Sequence, residues 1–224
     1  MKRSEINTQI EEAKALFQSI GFKLPPFAFF SPEQWQKMGE EANEIRDNGL
    51  GWDVTDYGLG DFASTGLLLF TLRNGSYSEP DKYPKGYAEK IMVILEGQLS
   101  PMHFHWKKRE DIINRGGGNL QLKLYLAGKD EKFSQDEFTV SVDGIRKRCL
   151  PGDIVTLVPG ESICLEPFIF HEFYSKPKTG PVVIGEVSGV NDDDSDNRFL
   201  SSVGRFPEII EDEPPLHLLC NEYP

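Results

Sequence analysis

The residues able to do chemistry crowd into one stretch. "GQLSPMHFHWKKREDIINRGG" spans residues 97–117 and holds two of the chain's four histidines, His103 and His105, with Glu110 five residues on. Side chains two apart on a strand face the same side. His103 and His105 therefore point together, and Phe104 points away. Two imidazoles on one strand face can share a cation. Imidazole suits first-row transition metals, and a carboxylate adds hard donor character. Glu110 can return past the short turn "WKKR" as a third ligand. A fourth ligand is expected from a distant strand. His217 lies in a proline-rich tail, whereas His171 lies in the apolar, strand-like "EPFIFHEF". His171 is the better choice.

The elements that position these residues follow from the pattern around them. Near the N-terminus, Ile6, Ile10, Ala13, Phe17 and Ile20 recur at three- and four-residue intervals. That is one helical stripe, with Ser4 as its cap and Gly21 as its end. In "SPEQWQKM", Ser31 takes the N-cap, Pro32 the first helical position and Gln34 the third, which predicts a second helix. "DNGLG" stops it. After about residue 60 the pattern becomes short apolar or alternating runs, at 66–72, 89–95, 120–127, 138–142, 153–158, 162–173 and 181–187. Turn pairs divide them: Asn74-Gly75, Asp143-Gly144, Pro151-Gly152 and Pro159-Gly160. Asp143-Gly144 is a two-residue hairpin signal. Strands at this spacing predict an all-β sandwich or closed barrel. One domain over residues 1–224 is the simplest reading, with a helical extension at 1–50, the β portion at 60–190 and a tail at 191–224.

The spacing from Gly97 through His103, His105 and Glu110 to Gly117 matches the first cupin motif at every position. The second motif is looser. Gly152 and Pro159-Gly160 are present, but His171 comes late and Ser175 stands where asparagine is usual. Longer blocks sharpen the match. "EKIMVILEGQLSPMHFHWKKREDIINRGGGNL", "LEPFIFHEF" and "GEVSGVNDDDSDNRF" resemble the D-lyxose isomerase family of cupins. The resemblance covers most of the chain. It implies a cupin double-stranded β-helix, a jelly-roll barrel with the N-terminal α-helices packed outside. It implies an aldose–ketose isomerase interconverting D-lyxose with D-xylulose, and D-mannose with D-fructose, through a metal-stabilised cis-enediol. It also implies Mn²⁺ held by His103, His105, Glu110 and His171, and a homodimer.

Such a reaction moves a proton between C1 and C2, so it needs a general base. If residues 108–112 are extended, Lys108 shares a face with Glu110 and projects towards the metal; the alternative is a solvated turn lysine. Glu110 then counts among the catalytic groups as well as the ligands. Glu186 sits in the apolar "VVIGEVSGV", where a carboxylate needs a partner or a role. It is a candidate base, or an inward charge paired with a lysine or arginine. Lys90, in "EKIMVIL", is a substrate contact or a strand-edge lysine. Asp196 and Arg198 can orient sugar hydroxyls or hold Glu186; the alternative is a structural loop.

Composition limits the partners. The formal charge is −12, which repels phosphate backbones and anionic lipid. Nucleic acid and membrane are poor partners, and a small sugar is the expected one. The basic runs "KKR" (107–109) and "IRKR" (145–148) read as solvated loops. No stretch approaches the ~18 consecutive apolar residues of a membrane span, and the charged start lacks a signal-peptide core. Cys149, Cys164 and Cys220 form no disulfide framework. A cytoplasmic protein with reduced thiols is expected. Two other functions fit the same ligands: an Fe²⁺ cupin dioxygenase, which would consume O₂, and a sugar-binding protein without turnover.

Overall fold

The N-terminal apolar stripe folds as helix α1 (Arg3–Ser19) and buries Ile6, Ile10, Ala13 and Phe17. A computed structural model describes residues 1–193 and 195–224. Gly21, at φ +75°, ends the helix turn as expected. The start differs from the expected cap. Lys2 takes the N-cap, and its backbone N–H donates to the Glu5 carboxylate at 2.7 Å. The Ser4 hydroxyl instead donates to Asp212. Ser31, Pro32 and Gln34 form the expected capping box, but helix α2 (Pro32–Trp35) is a single turn. A separate helix, α3 (Asn43–Asp47), precedes the Gly49 turn.

The described strands are β1 (Gly51–Thr55), β2 (Leu67–Arg73), β3 (Ala88–Ile94), β4 (Leu99–Phe104), β5 (Glu110–Gly117), β6 (Leu120–Leu126) and β7 (Phe138–Val142). They continue as β8 (Ile145–Cys149), β9 (Ile154–Leu157), β10 (Ser162–Leu165), β11 (Ile169–Ser175), β12 (Val182–Ser188) and β13 (Arg198–Phe199). One sheet runs β1-β2-β3-β12-β5-β10-β7-β8; the other runs β13-β4-β11-β6-β9. Among the described residues no ladder joins the two, so the closed barrel gives way to two stacked sheets. Alternate residues of both meet between them: Leu69, Met92, Ile112 and Ile184 from one, Leu122, Leu124, Leu157 and Phe173 from the other. The opposite face of the larger sheet, with Trp52, Phe70, Ile91 and Val183, carries the α1 stripe.

One expected strand is two. The run at 162–173 breaks at Pro167 and Phe168, whose φ is +65°. Proline denies the ladder a donor, and the left-handed turn sends β10 and β11 into different sheets. The Asp143-Gly144 hairpin forms as expected, pairing β7 with β8.

Chain ends are tied together. Lys2 bridges Ile210 and Trp52 bridges Leu219, and the buried Arg3 guanidinium pairs with Glu211 and Glu222. The proline-rich tail thus lies along the domain. All three cysteines are free thiols, and no helix of the described residues is long and apolar enough to cross a membrane. Phe17 sits at the centre of the helix-to-sheet contact, stacked on Trp52. Phe17→Ala should cost about 3–5 kcal/mol in urea unfolding; a loss below about 1 kcal/mol would show that α1 is not part of the cooperative core.

Candidate metal centre and active site

Strand register brings the histidines together. His171 on β11 is directly opposite His103 on β4. His105 follows β4 by one residue, on the same side as His103, while Phe104 packs the other way against Met102 and Phe170. The ligand nitrogens of His103, His105 and His171 lie within 4.8 Å of one another. Glu110 opens β5 in the facing sheet. Its Oε1 is 3.1 Å from His171 Nε2, and its Oε2 is 3.5 Å from His105 Nε2. His217 lies elsewhere, against the Phe30 carbonyl and Lys14.

Each imidazole is oriented by a backbone carbonyl. The Nδ1 atoms face Pro101 O at 2.7 Å, Asp196 O at 2.9 Å and Ile169 O at 3.0 Å for His103, His105 and His171. A carbonyl only accepts, so each Nδ1 carries a proton and each Nε2 is left for the centre. Burial, then the neighbouring imidazoles of His171 and His105, hold His103 well below the usual histidine range. Burial pushes Glu110 up, but Lys108, His105 and His171 outweigh it and keep the carboxyl well below its usual range. His105 Nε2 and Glu110 Oε1 are buried with no hydrogen-bond partner. Electron-rich atoms turned on one another at this range are unfavourable unless a cation lies among them. Three imidazole nitrogens and one carboxylate suit a divalent first-row metal, so the residues present fit such an ion.

A chain of buried charges continues from Glu110. Lys108 Nζ lies 3.0 Å from Glu110 Oε2 and 2.9 Å from Glu186 Oε1. Glu186 on β12 is directly opposite Lys90 on β3, and Lys90 Nζ is 3.6 Å from the same Glu186 oxygen. Burial lowers the Lys108 proton affinity, but Glu110, Glu186 and Asp193 more than restore it, so the ammonium is raised overall. Burial likewise works against Glu186, and Lys108 with Lys90 keeps it ionised below its usual range. Lys108 is 3% exposed, so the central residue of "KKR" has turned inward, whereas Arg146, Lys147 and Arg148 stay exposed on β8.

These groups line a cavity of about 300 Å³ between the sheets, a size suited to a small molecule. Tyr57, Ser100, Leu67 and Phe199 line it too, and the Phe199 ring lies 5.1 Å from the His103 ring. The Tyr57 hydroxyl lies 2.9 Å from Ser100 Oγ.

Two expected contacts fall outside the cavity. The Asp196 carboxylate accepts from the backbone N–H of Lys107 at 2.8 Å and of Lys108 at 2.9 Å. Both its oxygens are used in holding the loop. Arg198 Nε donates to Glu131 at 3.0 Å, towards the surface. In their place the cavity wall has Asp193, Arg205 and Asp53. Arg205 lies 3.1 Å from Asp193 and 3.7 Å from Asp53. Asp53 sits in "GWDVT", a carboxylate inside an apolar strand. The reasoning that singled out Glu186 applies equally there. Nothing periodic separates Asp193 from Asp196 in the acidic loop.

Two outcomes follow from this geometry. His103→Ala should weaken divalent-ion binding by more than about 100-fold in calorimetry, while His217→Ala should leave it unchanged; equal affinity in the two variants would remove His103 from the centre. Asp53 gives a pH test. Burial pushes its carboxyl up to about 6 against an ordinary 3.8. The folded state therefore binds this proton more tightly than the unfolded state, and the stability it brings at low pH is lost as pH rises through about 6. Asp53→Asn removes that loss, so its stability relative to the native chain should rise by about 2–3 kcal/mol between pH 4 and pH 7.5. A difference that does not change with pH would contradict the shifted carboxyl.

Comparison with known proteins agrees in family. A D-lyxose isomerase family model matches residues 1–223. The D-lyxose/D-mannose isomerases of Serratia proteamaculans and Escherichia coli O157:H7 are each 51% identical over 224 residues, covering 100% of this chain and 98% of theirs. Among solved structures, the fold is similar to Cellulomonas parahominis L-ribose isomerase with L-psicose (TM-score 0.60, 16% identity, 94% of this chain and 98% of that one). It is also similar to Acinetobacter sp. DL28 L-ribose isomerase with L-ribose (TM-score 0.59, 14% identity, 93% and 98%). With the family model spanning nearly every residue and two relatives sharing half of all positions, the chain belongs to the D-lyxose isomerase family.

Proposed function

We propose that this aldose–ketose isomerase interconverts D-lyxose with D-xylulose and D-mannose with D-fructose, using Mn²⁺ held by His103, His105, Glu110 and His171. One observation carries the reading: a carboxylate and an ammonium, Glu186 and Lys108, are fixed in one cavity beside the three-histidine cluster. The strand order supports a cupin jelly roll. Counting the eight strands β3, β4, β5, β6, β9, β10, β11 and β12, one sheet runs first-eighth-third-sixth and the other second-seventh-fourth-fifth. That order stacks two Greek keys and leaves the metal ligands facing inward.

The chain's own groups divide the work. Glu186 is the base. Lys108 and Lys90 keep it ionised, the form a base must have. Both lysines approach Oε1, and no described residue donates a hydrogen bond to Oε2. Oε2 is the atom assigned to take the proton from C2 and return it at C1. The Lys108 ammonium donates to the sugar oxygen that gains negative charge. A bound divalent ion supplies Lewis-acid polarisation of the carbonyl and adjacent hydroxyl oxygens. Burial in the low-dielectric interior strengthens each of these contacts. Asp193 and Arg205 supply paired acceptors and donors for the remaining hydroxyls, roles first expected of Asp196 and Arg198. We assign a homodimer to the assembled enzyme, which sedimentation can check.

The Mn²⁺-loaded protein incubated with D-lyxose in D₂O should form ketose without oxygen and place deuterium on C1. Oxygen-dependent loss of substrate would replace the isomerase with a dioxygenase, and binding without conversion would leave a sugar-binding protein. Glu186→Gln should keep the bound metal and lose at least about 100-fold in kcat; an unchanged kcat would remove Glu186 from the proton path.

A further inference from the structure

Behind the two lysines lies a second cavity of about 400 Å³. Asn48, Asn74 and Asn191 line it, and none of the three lines the cavity beside the histidines. Asn191 nevertheless touches both lysines. Its Oδ1 accepts from Lys90 Nζ at 2.6 Å and from Lys108 Nζ at 3.3 Å. The isomerase reading gives Lys108 and Glu186 their roles; resting on that reading, we propose that Asn191 is a positioning residue that sets where the two ammonium groups stand, and that Asn74 holds it in place.

The donor count makes the case. An ammonium has three N–H donors and no acceptor. Lys108 donates to Glu186 and Asn191 and forms an ion pair with Glu110 at 3.0 Å, which leaves its third donor for the substrate. Lys90 is placed differently. Its carboxylate neighbours, Glu186 and Asp193, are 3.6 and 3.7 Å away, beyond ordinary hydrogen-bond length. The amide oxygen of Asn191 is its short contact. Without that oxygen, Lys90 gains by closing on Glu186 Oε1, the atom Lys108 already uses. Asn191 thus keeps Lys90 back and leaves Lys108 bridging Glu110 and Glu186. A neutral acceptor suits the task, because it adds no further negative charge to the carboxylates already present.

Asn191 is itself clamped. Its backbone N–H donates to Asn74 Oδ1 at 2.9 Å, and its carbonyl accepts from Asn74 Nδ2 at 2.9 Å. Asn74 Nδ2 also donates to Asn48 O at 3.3 Å, and Asn48 Nδ2 to Asn74 O at 3.4 Å. The turn carrying Asn74 has no slack. A Cβ on the next residue, Gly75, would lie 1.7 Å from the Lys85 carbonyl oxygen. The clamp therefore joins the Asn74 turn after β2 to the loop after β12, and fixes the lysines from behind without reaching the substrate cavity.

Three variants and the native enzyme test this with D-lyxose as substrate. Asn191→Ala should lower kcat by about 100-fold with KM within about threefold, as expected for misplacement of a reacting group. Asn191→Asp, which restores an acceptor of the same shape, should recover at least about tenfold of that loss. Asn74→Ala should lower kcat in the same sense by about tenfold although it removes no charged group. Bound metal should be equal in all three. In a crystal structure of Asn191→Ala, Lys90 Nζ should move into hydrogen-bond range of Glu186. A residue with only a structural role would change the melting temperature and leave kcat of the folded enzyme alone. Folded Asn191→Ala with native kcat overturns the proposal; if that variant does not fold, native kcat in Asn74→Ala does so instead. If the native enzyme fails to turn over D-lyxose, the isomerase reading falls, and an unmoved Lys90 in Asn191→Ala separately rejects the positioning role.

Discussion

The molecule is organised around one buried ammonium group. Lys108 lies between Glu110 and Glu186 with its side chain almost wholly out of water. Removing such a charge from water costs several kcal/mol, and only close, well-directed partners offset it. Both partners come from neighbouring strands of one sheet: β5 and β12 pair so that Ser188 faces Glu110 and Glu186 faces Ile112. The lysine itself comes from the loop before β5. A one-residue slip of β12 would turn Glu186 out of the cavity and leave Lys108 and Lys90 short of counter-charge. Register here is therefore set by charge as well as by apolar packing.

Asp196 shows how the loop is made rigid enough for this. Its carboxylate takes the backbone N–H groups of Lys107 and Lys108, and its carbonyl takes His105 Nδ1. One residue thus aims an imidazole into the histidine cluster and fixes the backbone that sends Lys108 inward. Loss of its side chain would disturb Lys108 without touching a substrate. The histidine cluster and the Lys108–Glu186 pair are mechanically joined.

This explains which parts of the site were legible in the sequence. His103 and His105 were legible because a strand has a period of two, and nothing in a strand is more regular. Glu186 and Lys90 were legible because charge inside an apolar run demands a reason. Asp53 carries the same signal in "GWDVT" but stands beside the helical segment, before the region where strands were expected. Asp196 and Arg198 were given to the substrate because loops have no period: the sequence places several carboxylates within a few residues, and only folding decides that Asp193 faces the cavity. The run at 162–173 looked like one strand because hydrophobicity continues through it, while the break depends on the backbone at Pro167 and Phe168. The two-layer β architecture was legible from alternation, and the lack of a ladder joining its sheets among the described residues was not, because hydrogen bonding between layers leaves no mark on the pattern.

Charge balance joins the histidine cluster to the rest of the cavity. The ionisable groups on its wall other than histidine and tyrosine are the lysines 90 and 108, Arg205, and the carboxylates of Asp53, Glu110, Glu186 and Asp193. With all of them ionised the wall carries one excess negative charge. Asp53 is the first of these carboxylates to take a proton as the pH falls. Burial raises it to about 6, while Lys90, Arg205 and Lys108 overcome burial at Asp193 and hold it low. Above about pH 6 Asp53 is ionised and the wall keeps that one negative charge, which a divalent cation held at the histidines would turn positive. Sugar isomerisation develops negative charge on a substrate that begins neutral, so a wall of this sign favours the transition state over the ground state, which is the difference that accelerates a reaction. The number of carboxylates therefore sets the net charge against which a cation at the histidines would act, and the lysines keep Glu186, the proposed base, ionised within that field.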